Sequence, residues 1–177
     1  MIERKWKSLG GEEVDLRDAV EATVLSSDTP VEIHIGTDSQ QMGKNTEYVT
    51  VVVVQKLGKG ARVFYTREKV PRIKSLRERL YKEVWHTTEL AMELTTTPDI
   101  GGSDLIEKAL ITLHIDANTN EKYKSAEYAK ELASLAVGQG FRTLLKPDSW
   151  AAAHAADHVV KHKNQRNMSR KQKINAA

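Results

Sequence analysis

Alternating and continuous apolar runs in the first half of the chain predict three β-strands. Val31–Thr37 alternates β-branched and polar residues, and Tyr48–Leu57 contains the unbroken run Val51–Val54, which is typical of a strand buried on both faces. Gly58-Lys59-Gly60 has the composition of a hairpin turn, and Ala61–Thr66 follows as the returning strand. The pattern therefore predicts an antiparallel meander of three strands.

Apolar residues spaced three and four apart predict helices on either side of that meander. One short helix is expected over Val14–Leu25. A longer one begins after Ser75, which forms a capping box with Glu78, and runs to about Leu94. A third helix is expected over Ser125–Val137, stopped by the glycines that follow it.

Two further apolar strands and a last helix complete the predicted order. Leu110–Ile115 and Phe141–Leu145 are the strands, and Trp150–Lys161 is the helix. The whole pattern, a leading helix followed by β-β-β-α-β-α-β-α, predicts an α/β fold with a mixed five-stranded sheet, helices on both faces and an extra N-terminal helix. Its crossover connections should be right-handed.

Composition narrows the chemistry that the chain can perform. The 177 residues are one domain's worth of sequence and include no cysteine, which excludes disulfides, thiolate zinc sites and cysteine nucleophiles. Oxygen and imidazole remain as metal ligands, which suits Mg²⁺ or Mn²⁺. No apolar run is long enough to span a membrane, and the N-terminus lacks the apolar core of a signal peptide, so we expect a cytoplasmic protein.

Charge is distributed unevenly along the chain. The formal net charge is +3, but the last 17 residues carry six basic side chains and no acid, which leaves 21 basic residues against 24 acidic ones in the body. A basic tail on a mildly acidic body fits an appendage that follows a polyanion, and it equally fits a frayed, solvated terminus. The six basic residues of the tail are Lys161, Lys163, Arg166, Arg170, Lys171 and Lys173.

Two predicted strands each lead into an aspartate. Asp38 follows Ile35-Gly36-Thr37, and Asp116 follows His114-Ile115. A carboxylate at the end of a buried strand is costly unless it is paired or holds a metal ion. Because one crossover helix separates the first and fourth strands, they can lie side by side and parallel, with both aspartates at one edge. The sequence therefore predicts a divalent-cation site there.

Further acids could complete such a site. Glu83 lies near the edge of the buried stripe of the long helix, whereas Glu78 is already used by the capping box. Glu83 is equally explained as a surface residue paired with Arg79 or Thr87. Asp148 precedes the last helix, where an aspartate also serves as an N-cap.

Histidines accompany the aspartates. Strand alternation points His34 and His114 to the same side as Asp38 and Asp116, so either histidine could support an aspartate without being a ligand. His154 and His158 are one helical turn apart, but no third ligand has matching spacing.

Three short motifs resemble those of a known family. Ile35–Gln40, Ser75–Glu78 and Lys146–Ser149 are similar to motifs of the YkuK-type family, a group of small proteins predicted to be ribonuclease H-like nucleases. The resemblance covers roughly Val31–Lys161 and implies a ribonuclease H-like domain, which we expect over residues 1–161. Residues 162–177 lie outside the match, and we expect them to form a basic, flexible tail. The resemblance also implies that two Mg²⁺ or Mn²⁺ ions are held by the acids that match the family's positions. These are Asp38, Asp116, Asp148 and, as helix acid, Glu83 with Glu78 as its rival.

The resemblance implies a metal-dependent nuclease that hydrolyses phosphodiester bonds of RNA or DNA. Two alternatives stay open: a non-catalytic nucleic-acid-binding or assembly module with the same fold and, more weakly, a phosphatase of small substrates. An aromatic content of 6% argues against extensive base stacking. Basic residues expected to offset phosphate charge are Arg77, Lys146, Lys161, Lys163 and Arg166.

Overall fold

The computed structural model describes residues 4–96 and 108–151. Its strands are β1 Trp6–Ser8, β2 Glu13–Val14, β3 Val31–Met42, β4 Asn45–Lys56, β5 Gly60–Pro71, β6 Ala109–Asn118 and β7 Arg142–Lys146. Its helices are α1 Leu16–Leu25, α2 Leu76–Thr96 and α3 Ala126–Val137. Among the described residues, no helix is both long and apolar enough to cross a bilayer.

The strands form one mixed sheet in the order β2-β1-β5-β4-β3-β6-β7. Strands β3, β4 and β5 form the predicted antiparallel meander, and β6 and β7 extend it in parallel on the β3 side. The prediction of five strands is wrong, because β1 and β2 add two more at the β5 edge. These strands have only three and two residues, too few for alternation to show in the sequence.

The meander strands are longer than predicted, with 12 residues each. Strand β3 continues past Asp38 to Met42 and pairs through a two-residue turn with β4 from Asn45 onward. Residues beyond the predicted strand end at Thr37 therefore belong to β3, since unbroken ladder pairing outweighs the polar side chains of that segment. Asp38 and Asp116 lie within β3 and β6, and the prediction that they close these strands is wrong.

Side-chain caps fix where two helices begin. The Asp15 carboxylate accepts a 3.0 Å hydrogen bond from the Asp18 amide, so α1 starts at Leu16 and not at the predicted Val14, which belongs to β2. The Ser75 hydroxyl accepts from the Glu78 amide at 3.2 Å, which supports the predicted cap of α2.

All three described helices share one apolar cluster with the same face of the sheet. Alternate residues of β3 and β6, such as Ile33, Ile35 and Leu113, pack there with Val20 of α1 and Leu132 of α3. The described helices therefore do not cover both faces. The prediction of helices on the second face depends on the helix expected over Trp150–Lys161. Only the first two residues of that helix are described, and of these Ala151 is helical.

The opposite face carries the histidines and aspartates. In β3 these are His34 and Asp38, and in β6 they are His114 and Asp116, each pair two or four residues apart in strands whose side chains alternate. A smaller apolar cluster around Val51 of β4 lies on the same side. The strand register thus agrees with the prediction that His34 and His114 point to the same side as Asp38 and Asp116.

Candidate carboxylate site

Asp38 and Asp116 are neighbours across the parallel pair β3–β6. The register pairs Gly36 with His114, and two residues further along each strand stand the two aspartates. Burial and, after it, repulsion from Asp116 together raise the pKa of Asp38 to about 6. Asp116 is therefore close enough to disfavour the charged form of Asp38.

A break in strand pairing surrounds Asp116. Ile115 pairs with Leu145 of β7, but the next pair is Asn118 with Lys146, so Asp116 and Ala117 have no counterpart on β7. Irregularities of this kind bend a strand and redirect side chains, and they are frequent beside active sites. This one places Asp116 next to the end of β7, where Lys146 stands.

Glu83 of α2 joins the aspartates from the helix layer. Glu83 is 6% exposed, and its pKa is raised to about 8, chiefly by burial. The charges of Asp38 and Asp116 act in the same direction, and a hydrogen bond with Ser39 opposes the rise. Glu78 is exposed at the start of α2. The structure thus places Glu83, and not Glu78, within electrostatic range of the two aspartates, on the side of the sheet that α2 covers. Its role as a ligand stays a prediction.

Threonine hydroxyls fix the helix turn that carries Glu83. Thr87 Oγ1 lies 2.9 Å from both the Glu83 carbonyl oxygen and Thr37 Oγ1 of β3, and Thr37 Oγ1 lies 3.0 Å from Thr50 Oγ1 of β4. Because all three hydroxyls are buried, each depends on these partners. The chain of contacts joins α2 to two strands at the level of Glu83.

Two basic side chains reach the acids. Lys146 Nζ contacts Asp116 Oδ1, and Arg79 Nη1 donates to Ser39 Oγ at 3.3 Å. Both cations oppose the rise in the pKa of Asp38. Arg79 was expected only as a surface partner of Glu83, although its position four residues earlier on α2 already indicated the same side of the helix.

Several other predicted residues do not meet this cluster. Asp148 is exposed in the turn after β7, where its amide donates to the Leu145 carbonyl at 2.9 Å, and in the described part of the chain no contact joins it to the other three acids. Arg77 is exposed and bound to Glu131 of α3 at 3.4 Å, with its guanidinium over the Tyr81 ring. Those outside the described residues are His154, His158, Lys161, Lys163 and Arg166.

Hydrogen bonds link the buried histidines His34 and His114, which lie on the same face of the sheet as the aspartates. His34 Nδ1 lies 3.0 Å from His114 Nε2, and the Trp150 amide donates to His114 Nδ1 at 3.2 Å. The Trp150 ring lies against both imidazoles, with centroid distances of 4.8 and 5.1 Å. These contacts hold the segment that follows Lys146 against β6.

The donor set suits a hard divalent cation. Asp38, Glu83 and Asp116 supply carboxylate oxygens from three elements. The raised pKa values of Asp38 and Glu83 reflect burial first and then a repulsion that a cation would relieve. Within residues 4–96 and 108–151, no three histidine or acidic side chains are arranged as a metal-binding group. The residues fit the cation by the chemistry of their oxygen atoms but are not arranged as a metal-binding group, and Lys146 contacts one of them, Asp116.

Comparison with known proteins identifies the family. The sequence model described as "Ribonuclease H-like" matches residues 16–161. The uncharacterised protein YkuK of Bacillus subtilis (strain 168) is 27% identical over 135 residues, which cover 73% of this chain and 78% of the relative. No solved structure matches significantly. The family match spans the meander, α2 and both aspartate strands, and the chain belongs to the ribonuclease H-like family.

Proposed function

We propose that the protein is a divalent-metal-dependent nuclease that hydrolyses phosphodiester bonds of RNA or DNA. The observation that carries the proposal is the electrostatic interaction among Asp38, Glu83 and Asp116, from β3, α2 and β6, which adds to burial in raising the pKa of Asp38 and of Glu83. Shifts of this size in neighbouring carboxyl groups are typical of functional sites. Family membership supports the same reaction class.

Each residue of the cluster has a task in this proposal. Asp38 and Asp116 hold the cations, and Glu83 completes their ligands after it releases its proton. Mg²⁺ or Mn²⁺, two ions in the proposed mechanism, would when bound supply activation of a water and stabilisation of the leaving oxygen. Asp148 is the proposed fourth acid, from the turn after β7.

Basic side chains would hold the substrate backbone. Arg79 stands beside the acids through its contact with Ser39, and Lys146 stands there through Asp116. Both can offset phosphate charge as a strand passes the site. Arg77 and the basic residues Lys161, Lys163 and Arg166 are proposed to extend this contact along the strand.

Two observations favour a second candidate, a nucleic-acid-binding or assembly module without catalysis. Lys146 already neutralises Asp116, and the described acids do not form an assembled metal group. A module of this kind would bind nucleic acid in a salt-dependent manner, and neither metal nor Asp38→Asn would change its affinity.

Cleavage assays distinguish the candidates. Labelled RNA, DNA and RNA–DNA hybrids are incubated with Mg²⁺ or Mn²⁺ and with wild type, Asp38→Asn, Asp116→Asn or Glu83→Gln. Glu78→Gln is the matched control, because it makes the same change at an exposed position of the same helix. The nuclease proposal expects cleavage that needs metal, survives Glu78→Gln and drops by about 100-fold or more in the other variants. Equal cleavage by all five proteins would overturn the site, and metal-independent binding without cleavage would favour the module.

A further inference from the structure

We propose that Lys146 is an internal cation that occupies Asp116 in the metal-free protein and is displaced when a divalent ion binds. In the displaced state, the freed ammonium group contacts the substrate phosphate. The inference rests on the proposed function, because it assumes that Asp116 is a cation ligand. It gives one lysine two successive partners, a carboxylate and then a phosphate.

The first support is the backbone geometry around the pair. Lys146 is the last residue of β7, and it pairs with Asn118 immediately beyond the irregular part of β6 that contains Asp116. The irregularity leaves Asp116 without a counterpart on β7, and the Lys146 side chain contacts the carboxylate there. The strand pairing therefore fixes the backbone of Lys146 beside Asp116, and the side chain makes the contact.

Different exposure of the two partners supports displacement. The Asp116 side chain is 18% exposed, whereas that of Lys146 is 38% exposed. Lysine is a compact charge on a flexible stem, so its head can leave one oxygen and reach another without moving the backbone. Arg79 is less free to do so, since it is half-buried on α2 and donates to Ser39.

Charge balance supplies the reason for such a lysine. Asp38 and Asp116 stand side by side, and without a counter-ion their repulsion would destabilise the empty site. Lys146 compensates it in the metal-free state. The same contact must be lost for a cation to reach Asp116, so Lys146 lowers the affinity for metal.

The test measures Mn²⁺ affinity of the full chain by isothermal titration calorimetry, without nucleic acid. We expect Lys146→Met to bind Mn²⁺ about tenfold more tightly than wild type, because the competing charge is gone. Lys146→Arg keeps the ion pair and should bind like wild type. Lys130→Met, at an exposed lysine of α3, is the matched control and should also bind like wild type. Unchanged or weaker binding by Lys146→Met would overturn the inference.

A second readout needs no substitution. The acylation rate of Lys146 in the wild-type chain is followed by mass spectrometry with and without Mn²⁺ at one pH. Displacement predicts faster modification of Lys146 with Mn²⁺ and an unchanged rate at Lys130, and equal rates at Lys146 would contradict it. The nuclease proposal can fail separately. Tight Mn²⁺ binding by Lys146→Met with no cleavage by any variant would contradict the nuclease reaction but would still support the displacement of Lys146.

Discussion

His34 and His114 stand on adjacent parallel strands with Nδ1 of His34 3.0 Å from Nε2 of His114. The direction of this hydrogen bond follows from a third residue. The Trp150 amide donates to His114 Nδ1, so neutral His114 carries its proton on Nε2 and donates it to His34. His34 must then carry its own proton on Nε2, which faces Glu32 Oε2 at 3.3 Å.

The first prediction is this pair of tautomers. Long-range ¹H–¹⁵N spectra at pH 7 should show both His34 and His114 neutral and protonated at Nε2. The physical reason is the single direction in which the three contacts can be satisfied. A proton on Nδ1 of His114 would contradict the arrangement, because the Trp150 amide would then have lost its acceptor.

The second prediction concerns stability in acid. Burial lowers the pKa of His114 from 6.5 to about 4, with the neighbouring His34 acting in the same direction. The unfolded chain therefore binds more protons in this window, and the unfolding free energy falls as pH drops from about 6.5 through 4. In urea denaturation, the stability advantage of wild type over His114→Gln should shrink by up to about 3 kcal/mol across that window. A constant difference would show that His114 is not buried in its neutral form.

The third prediction has the opposite sign. Burial raises the pKa of Glu83 from 4.5 to about 8, so the native state binds more protons than the unfolded chain between these values. The unfolding free energy of the metal-free protein should fall as pH rises from about 4.5 through 8, by up to about 5 kcal/mol from this residue. Glu83→Gln should lose that dependence.

Its control is Glu78→Gln in the same urea denaturation series with a chelator present. Because Glu78 is exposed, this variant should follow the wild-type pH profile. If Glu83→Gln and wild type share one profile, Glu83 is solvated and does not belong to the cluster.

The fourth prediction tests the hydroxyl contacts that position Glu83. Thr87→Val keeps the shape of the side chain but removes the contacts with Thr37 and with the Glu83 carbonyl. We expect a loss of about 1 kcal/mol in unfolding free energy, measured in urea, and a lower rate of metal-dependent cleavage. Thr95→Val is the matched control, since Thr95 donates to the Ala91 carbonyl on the same helix and, in the described part of the chain, bonds to no strand. Equal effects of both substitutions would mean that Thr87 contributes only helix stability.

Much of the fold could be predicted because its central elements have strong local patterns. The apolar runs of the meander and of β6 indicate buried strands, and Ser75 with Glu78 marks the start of α2. The parallel pairing that joins Asp38 and Asp116 then follows from the order of elements. Their position within the strands does not follow, because residues 39–42 are polar and are kept in β3 by pairing with β4.

The side chains around the acids were harder to predict, because they depend on packing between distant segments. Periodicity placed Glu83 at the edge of the buried stripe, but only the packing of α2 on β3 shows that the carboxyl is buried. Lys146 was predicted as a phosphate contact. Its contact with Asp116 depends on the irregular pairing of β6 with β7, for which the sequence has no signal.

The central claim is that Asp38, Glu83 and Asp116 form one divalent-cation site. Anomalous diffraction from a crystal soaked in Mn²⁺ tests it most directly. The account predicts Mn²⁺ bound by these three carboxylates, with two ions about 4 Å apart if both proposed positions fill, and with the Lys146 ammonium moved away from Asp116. Mn²⁺ bound only elsewhere, with the Lys146–Asp116 contact intact at saturating metal, would contradict it.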